Sequence, residues 1–323
     1  MKGIWKDMLI SCLMGLVVPW MILSLASGLT NAELGKEDQT VTEIHMETEP
    51  RSSFVIPVGT EQGTRQMDLE EYLTGVVLAE MPASFETEAL KAQAVVARTY
   101  TLRAFSGKGK HGDVAVCTDS TCCQAYVSPE DYIGKGGTGE NLEKVRRAVY
   151  ETSGLVLTYE GDLIEATYFS CSGGRTEDAV AVWGTEVPYL QSVESPGEES
   201  ASHYRDSVTF TKEELETKLS AELQGKEEEW FGEATRSEGG GVLEIKIGGK
   251  VFLGTQLRKL LGLPSAAFSV EVKDGEICFH TRGYGHRVGM SQYGADAMAL
   301  QGKNFREILA HYYPGTTLQN MEN

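Results

Sequence analysis

The spacing of apolar and polar positions changes several times along the chain, and each change marks an element. From Met8 to Leu29 no charge interrupts 22 residues, which are apolar or small and show no amphipathic period. A helix crossing a bilayer core needs about 20 apolar residues, whereas the hydrophobic stretch of a cleaved signal runs to roughly 7–15. Residues 1–32 therefore predict an uncleaved N-terminal transmembrane helix, with cleavage near the small residues Ala26, Gly28 and Ala32 as the alternative. Lys2 and Lys6 precede the segment and acids follow it, which orients the remainder outside the cytoplasm. Residues 33–52 are polar and acidic and predict a tether. Residues 53–323 are then the globular part.

Helical spacing returns over Asp68–Glu80 and Ser84–Ala104, the second with Ser84 as its expected N-cap. Period-two runs follow, each pair separated by a turn dipeptide. Leu155–Tyr159 and Leu163–Phe169 flank Glu160-Gly161-Asp162. Val242–Ile247 and Val251–Leu253 flank Gly248-Gly249, and Ser269–Lys273 and Glu276–Thr281 flank Asp274-Gly275. Ala295–Tyr312 is helical with an interruption near Gly302. The fold class expected is α+β: antiparallel hairpins and mixed sheets packed with helices. Glu194–Gly241, with acidic patches such as KEEEW, predicts a solvated helical excursion without chemistry.

Charge narrows the function. Acids exceed bases by 47 − 29 = 18. So acidic a chain argues against a nucleic-acid partner, since phosphates must be met by Lys and Arg. Six cysteines are too few for a disulfide scaffold, yet three crowd into Cys117–Cys123.

The first helix carries the sharpest chemical signal. Asp68 and Glu71 stand at capping-box spacing, and Leu69, Leu73 and Val76 mark a buried stripe. The next step of that stripe lands on Glu80, immediately before Met81-Pro82 ends the helix. Burial and the negative end of the helix dipole both disfavour a carboxylate there and raise its pKa. A carboxyl still protonated near neutral pH suits a general acid; an acid ion-paired in the core is the other reading. Lys91 and Arg98, two turns apart on one face of the next helix, could neutralise Glu80 or meet an anionic substrate beside it. No second carboxylate is as well placed: Asp162, Glu165 and Glu177 read as surface or structural acids.

His111, Cys117, Cys122 and Cys123 form a Cys₃His set that can complete tetrahedral zinc coordination and pin an irregular loop. A Cys117–Cys122 or Cys117–Cys123 disulfide is the alternative outside the cytoplasm. Cys171 and His286 lack the context of a thiol nucleophile, so Cys171 reads as packing. His280 and His311 read as packing or surface residues. Towards the C-terminus, Gly283, Gly285, Gly289 and Gly294 allow close backbone approach, while His286, Ser291, Gln292 and Tyr293 offer donors and an aromatic face to a sugar. The same residues would equally serve a tight turn that caps a helix.

Three blocks resemble the stage II sporulation protein D family in order and content: LAEMPASFETEALKAQAVVARTYTL (Leu78–Leu102), YFSCSGGRTEDAVAVWG (Tyr168–Gly184) and GYGHRVGMSQYGADAMALQGKNFREILAHYYPGT (Gly283–Thr316). The resemblance implies a membrane-anchored lytic transglycosylase of sporulating bacteria. Such an enzyme cleaves the β-1,4 bond between N-acetylmuramic acid and N-acetylglucosamine in peptidoglycan. It leaves 1,6-anhydro-muramyl ends and prefers glycans whose stem peptides have been removed. It further implies septal wall remodelling during engulfment, in the space between mother cell and forespore. The implied partners are the sporulation amidase (stage II sporulation protein P), stage II sporulation protein M and the cytoplasmic membrane.

By resemblance the catalytic glutamate is Glu80, and Lys91 and Arg98 are the family's important basic residues. His286 and Gln292 become favoured contacts in the wall of a glycan groove, with Ser291 and Tyr293 beside them and Tyr168, Ser170 and Ser172 as weaker candidates. Many relatives have Gly at the position of Arg287. Clostridial relatives hold zinc in this loop with two His and two Cys. His111, Cys117 and Cys123 match three of those ligands, and Cys122 stands where the other His would be. Such a zinc is structural, because four protein ligands leave no open position, and this disfavours a zinc hydrolase. A non-catalytic glycan-binding enhancer of a cell-wall amidase is the alternative function.

Overall fold

The computed structural model describes residues 54–321. The anchor and tether expected in residues 1–52 lie outside the described residues. Among the described residues no helix is long and apolar enough to cross a membrane.

The α+β class is observed. The chain opens on a hairpin of β1 (Val55–Thr60) and β2 (Gly63–Asp68), to which β3 (Val116–Cys117) adds in parallel. Helix α1 (Leu69–Glu80) follows directly, because Asp68 turns its carboxylate back to the Glu70 and Glu71 amides at 3.0 and 3.1 Å. The second helix, α2 (Thr87–Arg103), begins later than expected. Phe85 turns into the core through its amide to the Pro82 carbonyl (3.0 Å), so Glu86 rather than Ser84 becomes the N-cap.

Short helix α3 (Pro129–Gly134) and amphipathic α4 (Gly139–Glu151) lead to β4 (Leu155–Tyr159), which pairs with β5 (Asp162–Leu163) and β14 (Thr317–Asn320). Only the first part of Leu163–Phe169 continues that hairpin. Its end, β6 (Tyr168–Phe169), leaves the sheet and pairs in parallel with β13 (Met290–Ser291). Two helices close the chain, α8 (Gln292–Leu300) and α9 (Phe305–Tyr312), separated at Gly302, whose φ of +85° no helix accommodates.

A second hydrophobic core lies between β7 (Arg205–Thr211), α6 (Lys212–Leu219), β8 (Thr235–Arg236), β9 (Val242–Ile247), β10 (Lys250–Leu253), α7 (Gly254–Leu261), β11 (Phe268–Lys273) and β12 (Glu276–Arg282). The sheets run β10-β9-β8 and β11-β12-β7. Both predicted hairpins here form across their turn dipeptides, whose residues have positive φ: Gly248 +54° with Gly249 +81°, and Asp274 +52° with Gly275 +82°. That left-handed pair matches strand twist.

Residues 194–241 correct the expected solvated helical excursion. They supply strand β7 to a sheet and bury Phe210, Leu215, Leu219, Leu223 and Trp230. Most acids of the segment face water, with Glu198 as the exception. Glu198 is fully buried and accepts from the Ser172 amide (2.8 Å), the Gly173 amide (2.9 Å) and the Ser195 hydroxyl (2.6 Å).

Candidate active site

Glu80 ends α1 on the stripe that buries Leu69, Leu73 and Val76. Its Oε1 accepts from the Ala125 amide at 2.6 Å, and its carboxyl also meets the Tyr168 hydroxyl. Burial pushes the Glu80 pKa above the ordinary carboxylate value, and the Ala125 and Tyr168 donors only partly offset this. Among the described residues no cation pairs with it, which removes the ion-paired reading. The Tyr168 hydroxyl reaches Gln124 Oε1 at 3.3 Å, and Gln124 Nε2 donates to Thr101 at 3.0 Å. The acid thus sits at the end of a polar chain that runs through buried Gln124. Sequence reasoning missed Gln124 and the Ala125 amide: one is an unremarkable polar residue, and the other is backbone.

The segment delivering Ala125 is the cysteine loop, which apart from β3 has no strand or helix between Gly109 and Ser128. Its His111, Cys117, Cys122 and Cys123 bring one ligand atom each to within 4.8 Å of one another. His111 Nε2 lies 3.3 Å from Cys123 Sγ and 3.5 Å from Cys122 Sγ, and the two sulfurs are 3.9 Å apart. The thiols are free, so neither expected disulfide is formed. This set of three sulfurs and an imidazole could hold a metal ion.

The C-terminal motif splits between structural and site roles. Ser291 caps α8 by accepting from the Gly294 amide (3.2 Å) and donates to the Ser170 carbonyl (3.3 Å), which also receives the Tyr293 amide (3.0 Å). Tyr293 packs edge-on against Phe85 at 5.0 Å. Those residues, with Ser170, form the turn that fixes β6 beside β13. Gln292 is buried with Nε2 unpaired. His286 accepts from the Val288 amide at 3.1 Å and faces the Tyr168 carbonyl. Burial, helped by Arg258, lowers its pKa to about 4, so the ring is neutral at pH 7. With Trp183 at the end of short helix α5 (Ala179–Trp183), 5.6 Å away and half exposed, it lines a cavity of about 230 Å³. Glu80 does not line that cavity.

Comparison with known proteins places the chain in a family. Residues 59–159 match the family model described as Stage II sporulation protein. The chain is 39% identical to stage II sporulation protein D of Bacillus amyloliquefaciens, covering 82% of this chain and 78% of that one. It is also 39% identical to stage II sporulation protein D of Bacillus subtilis, covering 85% and 82% respectively. The chain belongs to the stage II sporulation protein D family. A more distant relative, at 32% identity over 76% of this chain and 40% of its own, is the amidase enhancer of B. subtilis.

Two residues expected beside Glu80 stand elsewhere. Arg98 is fully buried and forks onto Glu70 at 3.0 and 2.5 Å, with further bonds to the Val149 and Leu155 carbonyls at 3.0 and 3.3 Å. Glu70 opens α1, ten residues and about 15 Å of helical rise from Glu80. Lys91 pairs with Glu88 and Glu151 at 3.0 and 2.8 Å. The backbone at Arg287 is one that favours glycine. Arg287 has φ +66°, a region where Gly is unstrained. Its buried guanidinium holds Glu177 at 3.1 Å and the carbonyls of Ser172, Arg175 and Gly239. Cys171, with a pKa pushed up to about 12 by burial and Glu198, is no nucleophile.

Proposed function

We propose that this chain is a lytic transglycosylase that cleaves MurNAc–GlcNAc bonds in peptidoglycan strands stripped of stem peptides, with Glu80 as both acid and base. The observation that carries the reading is a half-buried carboxyl with a raised pKa, held by two donors, with no cation beside it among the described residues. Hydrolytic glycosidases normally use two carboxylates, one of them to activate water or attack the sugar. A transglycosylase needs one. Protonated Glu80 gives its proton to the departing GlcNAc oxygen as the C1–O bond breaks. The resulting carboxylate then takes the proton of the muramyl 6-hydroxyl as that oxygen closes on C1. The anhydro end forms, Glu80 is protonated again, and no water is consumed. Tyr168 and the Ala125 amide hold the carboxyl in place through this exchange.

His286, Gln292 and Trp183 are suited to line the glycan path: the unpaired Gln292 amide is a neutral donor, and the His286 and Trp183 rings offer faces to uncharged sugars. Zinc is the metal we assign to the loop. Bonds of about 2.3 Å to sulfur and 2.0 Å to nitrogen give tetrahedral edges of roughly 3.8 Å between sulfurs and 3.5 Å between sulfur and nitrogen. The observed 3.9, 3.5 and 3.3 Å fit. When bound, zinc would supply loop order rather than reaction chemistry. By family, residues 1–32 would anchor the chain with the catalytic part outside the cytoplasm, working beside the sporulation amidase and stage II sporulation protein M.

The likeness to an amidase enhancer supports a second reading, a glycan-binding protein that stimulates an amidase without cutting. Mass spectrometry of products from amidase-treated peptidoglycan separates the two. Wild type should release anhydro-muropeptides and Glu80→Gln should not. Equal release by both proteins refutes the assignment of Glu80, and release by neither leaves the enhancer.

A further inference from the structure

A larger cleft lies away from Glu80. It encloses about 720 Å³ between the Gly173-Gly174 turn, the Gly239-Gly240 turn and the outer face of the β7–β12–β11 sheet. Its lining holds five arginines and a single carboxylate in a chain of net charge −18. The carboxylate, Asp206, is occupied by His203 at 3.0 Å. Two of the arginines are neutralised, Arg287 by Glu177 and Arg175 by Glu238. The other three, Arg205, Arg236 and Arg282, have no carboxylate partner among the described residues. Arg236 is held by the Gly240 and Phe268 carbonyls at 3.1 and 2.9 Å.

Strand register sharpens the case. Arg205 on β7 stands directly opposite Arg282 on β12. Like charges in directly opposed positions destabilise a sheet unless something anionic lies between them. The cleft also contains Thr281, 2% exposed, whose hydroxyl has no hydrogen-bond partner. Its side chain points to the core side of β12 with Ile277 and Phe279, so the outward face of the strand is left to His280 and Arg282. Tyr204, another lining residue, has Arg205 over its ring at 6.0 Å, and exposed Tyr284 stacks on His203 at 4.6 Å. Aromatic faces beside cations suit a sugar that carries a negative group.

We propose that this cleft is a second, anion-binding site, which takes a carboxylate- or phosphate-bearing sugar or polyol strand between Arg205 and Arg282. The choice of a wall polymer rests on the function proposed above; the anion site itself does not. Both wall sources share the chemistry: muramyl lactyl carboxylates exposed once stem peptides are gone, and polyol phosphates.

The test reads binding without cleavage. Full-length Glu80→Gln protein, alone and combined with Arg205→Ser/Arg282→Ser, is titrated by calorimetry with three probes. These are amidase-treated glycan strands, the same strands with their carboxylates reduced to alcohols, and poly(glycerol phosphate). At least one anionic probe should bind, about tenfold or more weaker in the triple variant, and weaken steeply from 50 to 500 mM salt. The probe that shows the difference identifies the source. The reduced strands should bind both proteins alike. Equal affinity of both proteins for both anionic probes overturns the site. Arg205 and Arg282 are exposed, so unchanged melting confirms that the variant folds. Product analysis of each titrated sample reports any residual cleavage, so a failure of Glu80 as the catalytic acid is seen separately from a failure of the anion site.

Discussion

Arg98 offers the clearest test of where the fold places its charges. In Arg98→Met the stem keeps its packing, but Glu70, with a side chain 14% exposed, loses its cation, and the Val149 and Leu155 carbonyls lose a donor. Removing one partner of a buried pair costs about 3–5 kcal/mol. Glu70 keeps the Ser153 hydroxyl at 3.1 Å and some contact with water, which favours the lower half of that range, about 3–4 kcal/mol. At roughly 2–4 °C per kcal/mol for a domain of this size, the melting temperature should fall by roughly 6–16 °C in calorimetry at pH 7. The second arm removes both charges. Arg98→Met/Glu70→Leu should recover most of the loss, because an apolar pair needs no compensation. Kinetics complete the test: at a temperature where the variant stays folded, kcat/KM for glycan cleavage should stay within about threefold of wild type. A melting temperature lowered by less than about 3 °C together with a large rise in KM would refute the structural assignment and return Arg98 to the substrate.

For Glu80→Gln, loss of both acid and base roles should lower kcat by at least about 10³-fold. Burial raises the Glu80 pKa in the folded state, so the native protein holds a proton there that the unfolded chain has released. Stability therefore falls as pH rises from the ordinary carboxylate value through the raised one, and Glu80→Gln should melt higher than wild type above that window and lose this pH dependence. The basic limb of kcat/KM against pH should track the same group. Metal analysis should find one zinc per chain in wild type, one in Cys122→His, and near none in Cys117→Ser, with chelation lowering the melting temperature. Gly294→Ala should lower stability by about 1–3 kcal/mol or more in denaturant titration, since the new Cβ would stand 2.0 Å from the Tyr312 hydroxyl and 2.1 Å from the Ser195 hydroxyl.

Local signals in the sequence were reliable where the physics is local. The Asp68 cap, the stripe ending at Glu80 and the Met81-Pro82 stop delimit α1 because each acts within one or two turns. Glu160-Gly161, Gly248-Gly249 and Asp274-Gly275 mark hairpins because left-handed residues are needed at those points and nowhere else in the runs. What was not legible depended on distant partners. Lys91 and Arg98 share a helical face, but which acid each meets is decided by how α2 crosses α1 and α4. Residues 194–241 read as solvated because acids outnumber apolar residues there. Phe210, Leu215, Leu219 and Trp230 nevertheless bury against strands that follow later in the chain. Tyr168 was seen as part of a hairpin, and its departure to pair with β13 could be inferred only from the sequence blocks being neighbours in space.

That departure explains why the three blocks shared with the family belong together. Glu80 comes from the end of α1, the Ala125 amide from the loop after Cys123, and Tyr168 from β6 held beside the Met290-Ser291 strand. Burial keeps the Glu80 pKa raised and the two donors fix where the carboxyl points, so a loosened site would admit water, restore an ordinary acid and lose its aim. Two of the supports are rigid. The helix is packed along its buried stripe, and β6 is fixed by paired backbone and the Ser291 turn. The third is a loop that has almost no regular structure of its own, and whose Cys123 lies two residues before Ala125. The His111–Cys117–Cys122–Cys123 cluster therefore stands where order is most needed, at the one support of Glu80 that secondary structure does not provide.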